Sequence, residues 1–496
     1  MSGSPMGTMS DRAVARTLAY LLLAGAGTAL AATSGEGIAA RVQDVPKVLA
    51  AVQASPAPRS YNLIELFSQQ SLPALITDLR EPVAASAAPA FRQQVRAAVL
   101  AHPSLKAGAE RWSETEGVRA EVRGGLFPQI YAGVGGESTL VERPGVDVPS
   151  DMNTNLYVRV TQLLFDAGAL FRKIEAAEKR VEAQRFGLQV TAQSLALKAL
   201  NAYYDVVRHT RRVALAEANL QRHQVLLEMI GEAVAGSVSS RSDLLRAQSR
   251  EAEARATLAG ARGDLERAQA VWREYFGDAE LPRQLPPLRP ALPATAAEAH
   301  QRLLAGSLEL ARLEQLAQAT ASDFEAEKAN LLPQVSVQLT VRRFQLDQLR
   351  ENDNEVVAAV QLSYPLYTGG SQTARRNQAA SRAGAARSDV DSLRSELQRE
   401  VSAALADVAS QTQRLKALEL AMQAEEATIL AYLEQFAIGR RSLADLLDAQ
   451  RDLFGAALGL VDGTASVELA HYAVSAALGE SLVFFELDEV GQQIAR

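Results

Sequence analysis

The sequence predicts an internally duplicated α+β membrane protein, with four outer-membrane β-strands per chain joined to very long, coiled-coil-like helical hairpins. Three observations carry this. Two pairs of segments alternate apolar and polar residues with period 2, the strand signature. Two long stretches lack proline and repeat apolar residues every three or four positions. Landmarks of the first half recur in the same order in the second, two of them at one spacing of 202 residues.

The 496 residues are enough for a large core or several domains, and the net charge of −7 argues against nucleic acid as a partner. With no cysteine, disulfides, thiolate metal sites and cysteine nucleophiles are excluded. His102, His209, His223, His300 and His471 have no helical pairing, so neither a metal site nor a cofactor is expected. Nucleophile–base pairs and phosphate loops are also missing, so no enzymatic activity is expected.

Arg12 and Arg16, the apolar run Leu18–Leu30 and the small-x-small Ala29-Leu30-Ala31 form a secretory signal over 1–31, the alternative being an N-terminal anchor. Residues 32–85 are an Ala/Pro-rich extension. No later stretch reads as a transmembrane helix, so a membrane span has to come from strands.

The first repeat covers 86–280. A helix over about 86–123 leads to LFPQI (126–130) and two strands. Ile130, Ala132 and Val134 share one face of the first, and Leu156, Val158 and Val160 one face of the second. Gly168 ends the strand pair, and the helix from 169 to about 235 would be roughly 100 Å long at ~1.5 Å per residue. It breaks at a tip containing Gly236 and Ser237, and SRSDLLRAQ (240–248) starts the return helix. The Pro-rich linker spans 281–294. The second repeat, 295–480, has a helix over about 295–330, LLPQV (331–335), two strands, the junction PLYTGG with Gly369 and Gly370, a long helix and a return helix. Residues 481–496 are taken as a C-terminal tail.

Strands of about ten residues with one apolar face have the length of outer-membrane strands. Their apolar faces would meet lipid, while Tyr157, Arg159, Gln334, Gln338 and Arg342 would face a wet lumen. Backbone groups in lipid cannot stay unpaired, so the sheet has to close, and four strands cannot close a barrel. Two copies supply eight strands and three supply twelve.

The second tip, Phe436–Gln450 (FAIGRRSLADLLDAQ), breaks at Gly439 and restarts at Ser442, a fitting N-cap. Asp445 and Asp448 lie on one helical face beside the basic pair Arg440 and Arg441. Alone, this window reads first as an ordinary solvated tip with charges that suit the helix dipole.

Over about residues 86–485, LFPQI, LLPQV, YPLYTGG and above all FAIGRRSLADLLDAQ resemble the TolC-like outer-membrane channel proteins, in particular the branch serving type I secretion. The resemblance implies a homotrimer, with a twelve-stranded barrel in outer-membrane lipid continued by a helical periplasmic tunnel. It implies a periplasmic adaptor, an inner-membrane ATP-driven exporter and secreted protein cargo as partners. It places Asp445 and Asp448 around the periplasmic entrance and pairs Arg441 with Asp243 as a gate latch. A tyrosine that supports the latch in the family is replaced here by Phe436. The first tip, GSVSSRSD against GRRSLAD, is expected to carry one extra residue before Asp243. A drug or metal efflux duct and an exported coiled-coil scaffold are the alternatives.

Overall fold

The computed structural model describes residues 88–137, 153–237, 239–286, 288–344 and 354–488. The expected signal over 1–31 and the extension over 32–85 lie outside the described residues. The elements are α1 (Ala88–Ala101), α2 (Pro103–Gly124), β1 (Gln129–Glu137), β2 (Asn153–Phe165), α3 (Ala169–Ala235), α4 (Arg241–Phe276), α5 (Ala296–Gly306), α6 (Leu308–Ala329), β3 (Gln334–Phe344), β4 (Asn354–Ser363), α7 (Ser371–Ala437), α8 (Leu443–Ala477) and α9 (Ser481–Phe484).

Each repeat opens with two helices rather than the single one expected. Pro103 disfavours a helical conformation at His102, which is extended at φ −69° and ψ 132° and accepts the Ser104 N–H on Nδ1 at 3.1 Å. In the second repeat Ser307 breaks the helix at φ −67° and ψ 107°, then caps α6 by accepting the Leu310 N–H on Oγ. Gly306 lies so close to Leu478 that a Cβ would sit 2.4 Å from its carbonyl oxygen, so the break also lets two backbones meet.

The strands form one antiparallel sheet in the order β1-β2-β3-β4, with β2 and β3 joining the repeats. Ile130, Val160, Leu339 and Ala358 form one apolar row, and Ala132, Val158, Val341 and Val356 the next. On the opposite face Gly133, Tyr157, Arg342 and Glu355 form a polar row, closed by an Arg342–Glu355 ion pair at 3.7 Å. A Cβ at Gly133 would meet the Tyr157 ring at 2.7 Å, so glycine here lets that ring lie across β1.

Helices α3 and α7 each have 67 residues, roughly 100 Å at ~1.5 Å per residue. Their entries match: Gly168 (φ 86°) and Gly370 (φ 83°) are left-handed, preceded by left-handed Ala167 (φ 53°) and Gly369 (φ 63°). The Asp166 carboxylate accepts the Gly168 and Leu170 N–H groups at 3.0 and 2.6 Å, whereas Thr368 offers its carbonyl to Ser371. The return helix α8 amends one expectation, since it is long and apolar enough to cross a membrane. It packs on both α7 and α3, burying Leu446, Leu447, Leu453, Leu460, Val461 and Val474, which accounts for its apolar character.

The main core gathers Phe91, Leu105, Leu188, Leu200, Tyr204, Tyr472, Phe485 and Leu487. Residues 481–488 are therefore not a tail, because Phe485 and Leu487 are wholly buried in this core. The linker is docked as well: Leu285 and Leu288 pack on the same cluster, Tyr472 Oη donates to the Leu288 carbonyl at 2.6 Å, and Arg289 pairs with Glu468.

Nearer the tips a buried polar group joins the repeats. Gln450 of α8 donates to Asn219 Oδ1 at 3.0 Å and accepts from Arg222 Nη1 at 3.3 Å, both on α3. All three are buried, and burial pulls the Arg222 guanidinium down to about 10. Gln450→Ala would remove the partner of two buried groups and is expected to cost about 1–3 kcal/mol, read as a lower thermal midpoint of the detergent-extracted protein. An unchanged midpoint would refute this contribution.

Burial, aided by Arg208, Arg250 and Arg289 respectively, also holds His209, His223 and His471 below the ordinary value of 6.5. A group with a lowered folded-state value leaves the unfolded chain binding more protons, so stability is full above that ordinary value and declines as pH falls below it. The thermal midpoint should be lower at pH 5.5 than at pH 7.5, and His223→Gln should narrow the difference.

Candidate functional site

The two hairpin tips have the same length, five residues each: 236–240 between α3 and α4, and 438–442 between α7 and α8. The extra residue expected before Asp243 is not present. The spacing of 202 that links the repeats carries Ser237 to Gly439 and Asp243 to Asp445. Gly236 and Gly439 are not equivalent, because Gly236 is not the left-handed residue of its tip. Gly236 has φ −79° and Ser237 takes the left-handed position at φ 59°, where the second tip has Gly439 at φ 74°. A non-glycine residue there is strained, so the first tip stores a small penalty that the second avoids.

In the second tip the Gly439 N–H donates to the Phe436 carbonyl at 3.0 Å and the Arg440 N–H to the Gln435 carbonyl at 2.8 Å, closing α7. Ser442 and Asp445 then form a reciprocal capping box. Ser442 Oγ accepts the Asp445 N–H at 3.2 Å, while Asp445 Oδ2 accepts the Ser442 N–H at 3.2 Å and its hydroxyl at 2.8 Å. The first tip repeats this with Ser240 and Asp243, and Ser239 Oγ donates a third bond to the Asp243 carboxylate at 3.1 Å. Both carboxyls are held below their ordinary range, Asp243 chiefly by the Ser240 hydroxyl and Asp445 chiefly by the Ser442 hydroxyl.

Asp448 has a different setting. It lies 3.4 Å from Arg250 Nη2 on α4 and 3.2 Å from Arg451 Nη1, so it ties the second hairpin to the first. Arg250, which spacing alone did not mark, also pairs with Glu253 at 2.8 Å.

Arg441 and Asp243 are not paired within the chain. Arg441 donates from Nε to Gln435 Oε1 at 3.0 Å, lies 3.9 Å from Asp445, and stacks on the Tyr432 ring with its Cζ 4.3 Å from the centroid. Tyr432 was not marked by sequence either, although it lies four residues before Phe436, and that spacing puts the two rings on one helical face. Arg440 is exposed at the turn. Among the described residues no group of three acidic or histidine side chains could hold a metal.

At the other end of the long helices, where the strands enter, Lys173, Glu327, Asn330, Gln334, Gln372 and Arg375 line a polar pocket. Lys173 and Arg375 are equivalent positions of the two repeats at the spacing of 202.

Residues 95–277 and 299–480 match the outer membrane efflux protein family, one match per repeat. The outer membrane efflux protein BepC of Brucella suis is 28% identical over 345 residues, covering 68% of this chain and 74% of that protein. The alkaline protease secretion protein AprF of Pseudomonas aeruginosa is 25% identical over 376 residues, covering 71% and 77%. Among solved structures, the outer membrane protein VceC of Vibrio cholerae superposes with a TM-score of 0.69 at 17% identity, covering 78% of this chain and 95% of that one.

The Tyr432–Arg441 stack predicts energetic coupling. In a double-mutant cycle, Tyr432→Leu and Arg441→Gln should couple by about 0.5–1 kcal/mol in unfolding free energy, the range for an exposed cation–π pair. Strict additivity would show that the stack holds nothing.

Proposed function

The chain belongs to the outer membrane efflux protein family, and from that premise we propose that it is the outer component of a type I secretion system, conducting secreted protein from periplasm to exterior. Its place is the outer membrane with an extension into the periplasm, and like its family it is a passive TolC-like channel, not an enzyme. Channels of this family are homotrimers that work with adaptors and inner-membrane pumps. Family membership sets aside the exported scaffold.

The similarity to a protein named for alkaline protease secretion is the observation that carries the secretion reading. In this reading a periplasmic adaptor and an inner-membrane ATP-driven exporter supply cargo and energy, and the hairpin tips form the gate. The efflux reading has its own support in BepC, the relative of higher identity. A deletion strain separates the two. Secretion predicts loss of particular proteins from the culture medium with drug and metal susceptibility essentially unchanged. The reverse pattern would overturn it.

At the gate, three copies bring Asp445 and Asp448 together around one entrance, a cation-favouring ring. Asp448 is neutralised in part by Arg250 and Arg451, so Asp445 carries the larger share of the field. Asp445→Asn with Asp448→Asn should lower cation selectivity in planar bilayers, with Asp445→Asn alone giving most of the change; unaltered reversal potentials would sink the ring.

Arg441 is the latch in this reading. It would leave Tyr432 and Asp445 to reach Asp243, or hold its own hairpin shut through them. An adaptor that binds open tips better than closed ones then shifts the balance. Arg441→Ser should raise conductance and sensitivity to large antibiotics in cells lacking the transport partners.

A further inference from the structure

Where β3 and β4 give way to helix, a pocket of about 360 Å³ opens between the ends of α3, α6 and α7. Lys173 of α3 and Arg375 of α7 bring two cations to it, Glu327 of α6 one carboxylate, and Asn330, Gln334 and Gln372 three amides. Among the described residues, none of these six side chains hydrogen-bonds or ion-pairs with another protein group. Charged and amide groups that share a pocket without satisfying one another are open to a ligand.

The first repeat shows the same corner closed. LFPQI and LLPQV lie 205 residues apart, so Glu327, Asn330 and Gln334 stand where the first repeat has Val122, Gly125 and Gln129. Gln372 stands where it has Leu170, at the helix spacing of 202. Leu170 fills that first corner, since a Cβ on Gly125 would meet its methyl groups at 3.2 and 3.3 Å. Gln129 turns its amide onto the Gly124 and Phe127 carbonyls at 3.0 and 3.3 Å. The second repeat keeps the backbone plan but replaces each filling group with a polar one, and leaves Gln334 unbonded.

We propose that this pocket is a binding site for hydrogen phosphate. Helix α6 packs between α3 and α7, so Lys173 and Arg375, equivalent positions of the two repeats, reach the pocket from both sides. Their combined charge exceeds that of Glu327 and favours an anion. Arg375 offers a planar fork to two oxygens, Lys173 a point charge, and the amides further N–H donors. Glu327 selects which anion. A carboxylate repels sulfate, which has no proton to give, but accepts a charge-assisted hydrogen bond from an oxyanion that keeps one O–H. Hydrogen phosphate keeps one at neutral pH, whereas the phosphodiester of a lipid headgroup does not.

The sheet also points to a soluble source. Gln334 and Ser363, both lining the pocket, pair across β3–β4 on the polar face, and the next pair, Val335–Leu362, lies on the apolar one. In the trimeric channel, on which this placement rests, three copies set Lys173 and Arg375 as a cationic collar where barrel meets tunnel. Its sign is opposite to that of the carboxylates at the tips.

Calorimetric titration of the full-length protein tests the site, in phospholipid-free detergent and phosphate-free buffer at pH 7.5 and constant ionic strength. Phosphate should bind once per chain, and sulfate at least about tenfold more weakly, the loss of one charge-assisted hydrogen bond. Lys173→Gln with Arg375→Gln should abolish binding at unchanged trimer size and thermal midpoint. Glu327→Gln, which keeps size and shape, should bring sulfate within about threefold of phosphate, because an amide can donate to either anion. It tests the site independently should the double variant unfold. No phosphate binding to the unaltered chain, or binding that survives in the double variant, overturns the site. Sulfate binding as tight as phosphate overturns the role of Glu327 and the choice of ligand. Displacement of phosphate by short-chain phosphatidylglycerol overturns the soluble source. Planar bilayers separate the channel reading from the site. Phosphate should shift reversal potentials toward cations in the unaltered chain and not in the double variant. Calorimetric binding without that shift keeps the site and overturns its place on the lumen wall, and the absence of any channel overturns the channel reading while the titration still decides the pocket.

Discussion

A β-strand in a bilayer has no water to satisfy an open edge, and that constraint shapes the rest of this chain. Its four-stranded sheet has one face of valine, leucine and isoleucine and two unpaired edges. Closure between copies satisfies both. Because each repeat contributes one hairpin and one pair of long helices, closing the sheet also brings the helices side by side around a common axis. The tunnel is then a consequence of the barrel, passed through left-handed junctions at Gly168 and Gly370 that turn each strand directly into a helix.

The helical part is held differently in its two seams. Inside the chain, α3 and α8 are joined by buried Asn219, Arg222 and Gln450. The equivalent positions on α7 and α4 are Ala421, Ala424 and Gln248. A polar group satisfied on both sides fixes one arrangement, because any sliding leaves a buried donor or acceptor without its partner. Two alanines and one glutamine at those positions leave fewer such partners to lose. The duplication thus repeats the geometry while placing different residues at the equivalent helix positions.

At the tips the carboxylates do more than one task. Asp243 and Asp445 complete capping boxes, so the charge that Asp445 would offer to the proposed entrance also starts its return helix. Asp448 is held between two arginines from different hairpins. Arg441 is occupied within its own hairpin by Tyr432, Gln435 and Asp445, so opening of the proposed gate would exchange one set of contacts for another of comparable kind. In the proposed channel, such near-balance would let a modest differential affinity of a partner move the equilibrium. One turn before Phe436, which has no hydroxyl, Tyr432 supplies an aromatic face to Arg441.

Periodicity and internal repetition determined the architecture by themselves. The limits of α3, the strand faces and the junction glycines could all be read because each rests on local rules: side-chain period, proline exclusion and glycine at positive φ. Most of what failed was set by contacts distant in sequence. The break at Ser307, where Gly306 meets Leu478, the burial of Phe485 and Leu487, and the pairing of Asp448 with Arg250 depend on which elements meet, whereas the break at His102 follows from its neighbour Pro103. The tip alignment failed for a subtler reason: a glycine marked the turn, but the backbone placed its left-handed residue at Ser237. Amino-acid type states which conformations are cheap at a position. Tertiary packing decided which costly one is tolerated, because only the closed hairpin fixes where α3 must stop and α4 must begin.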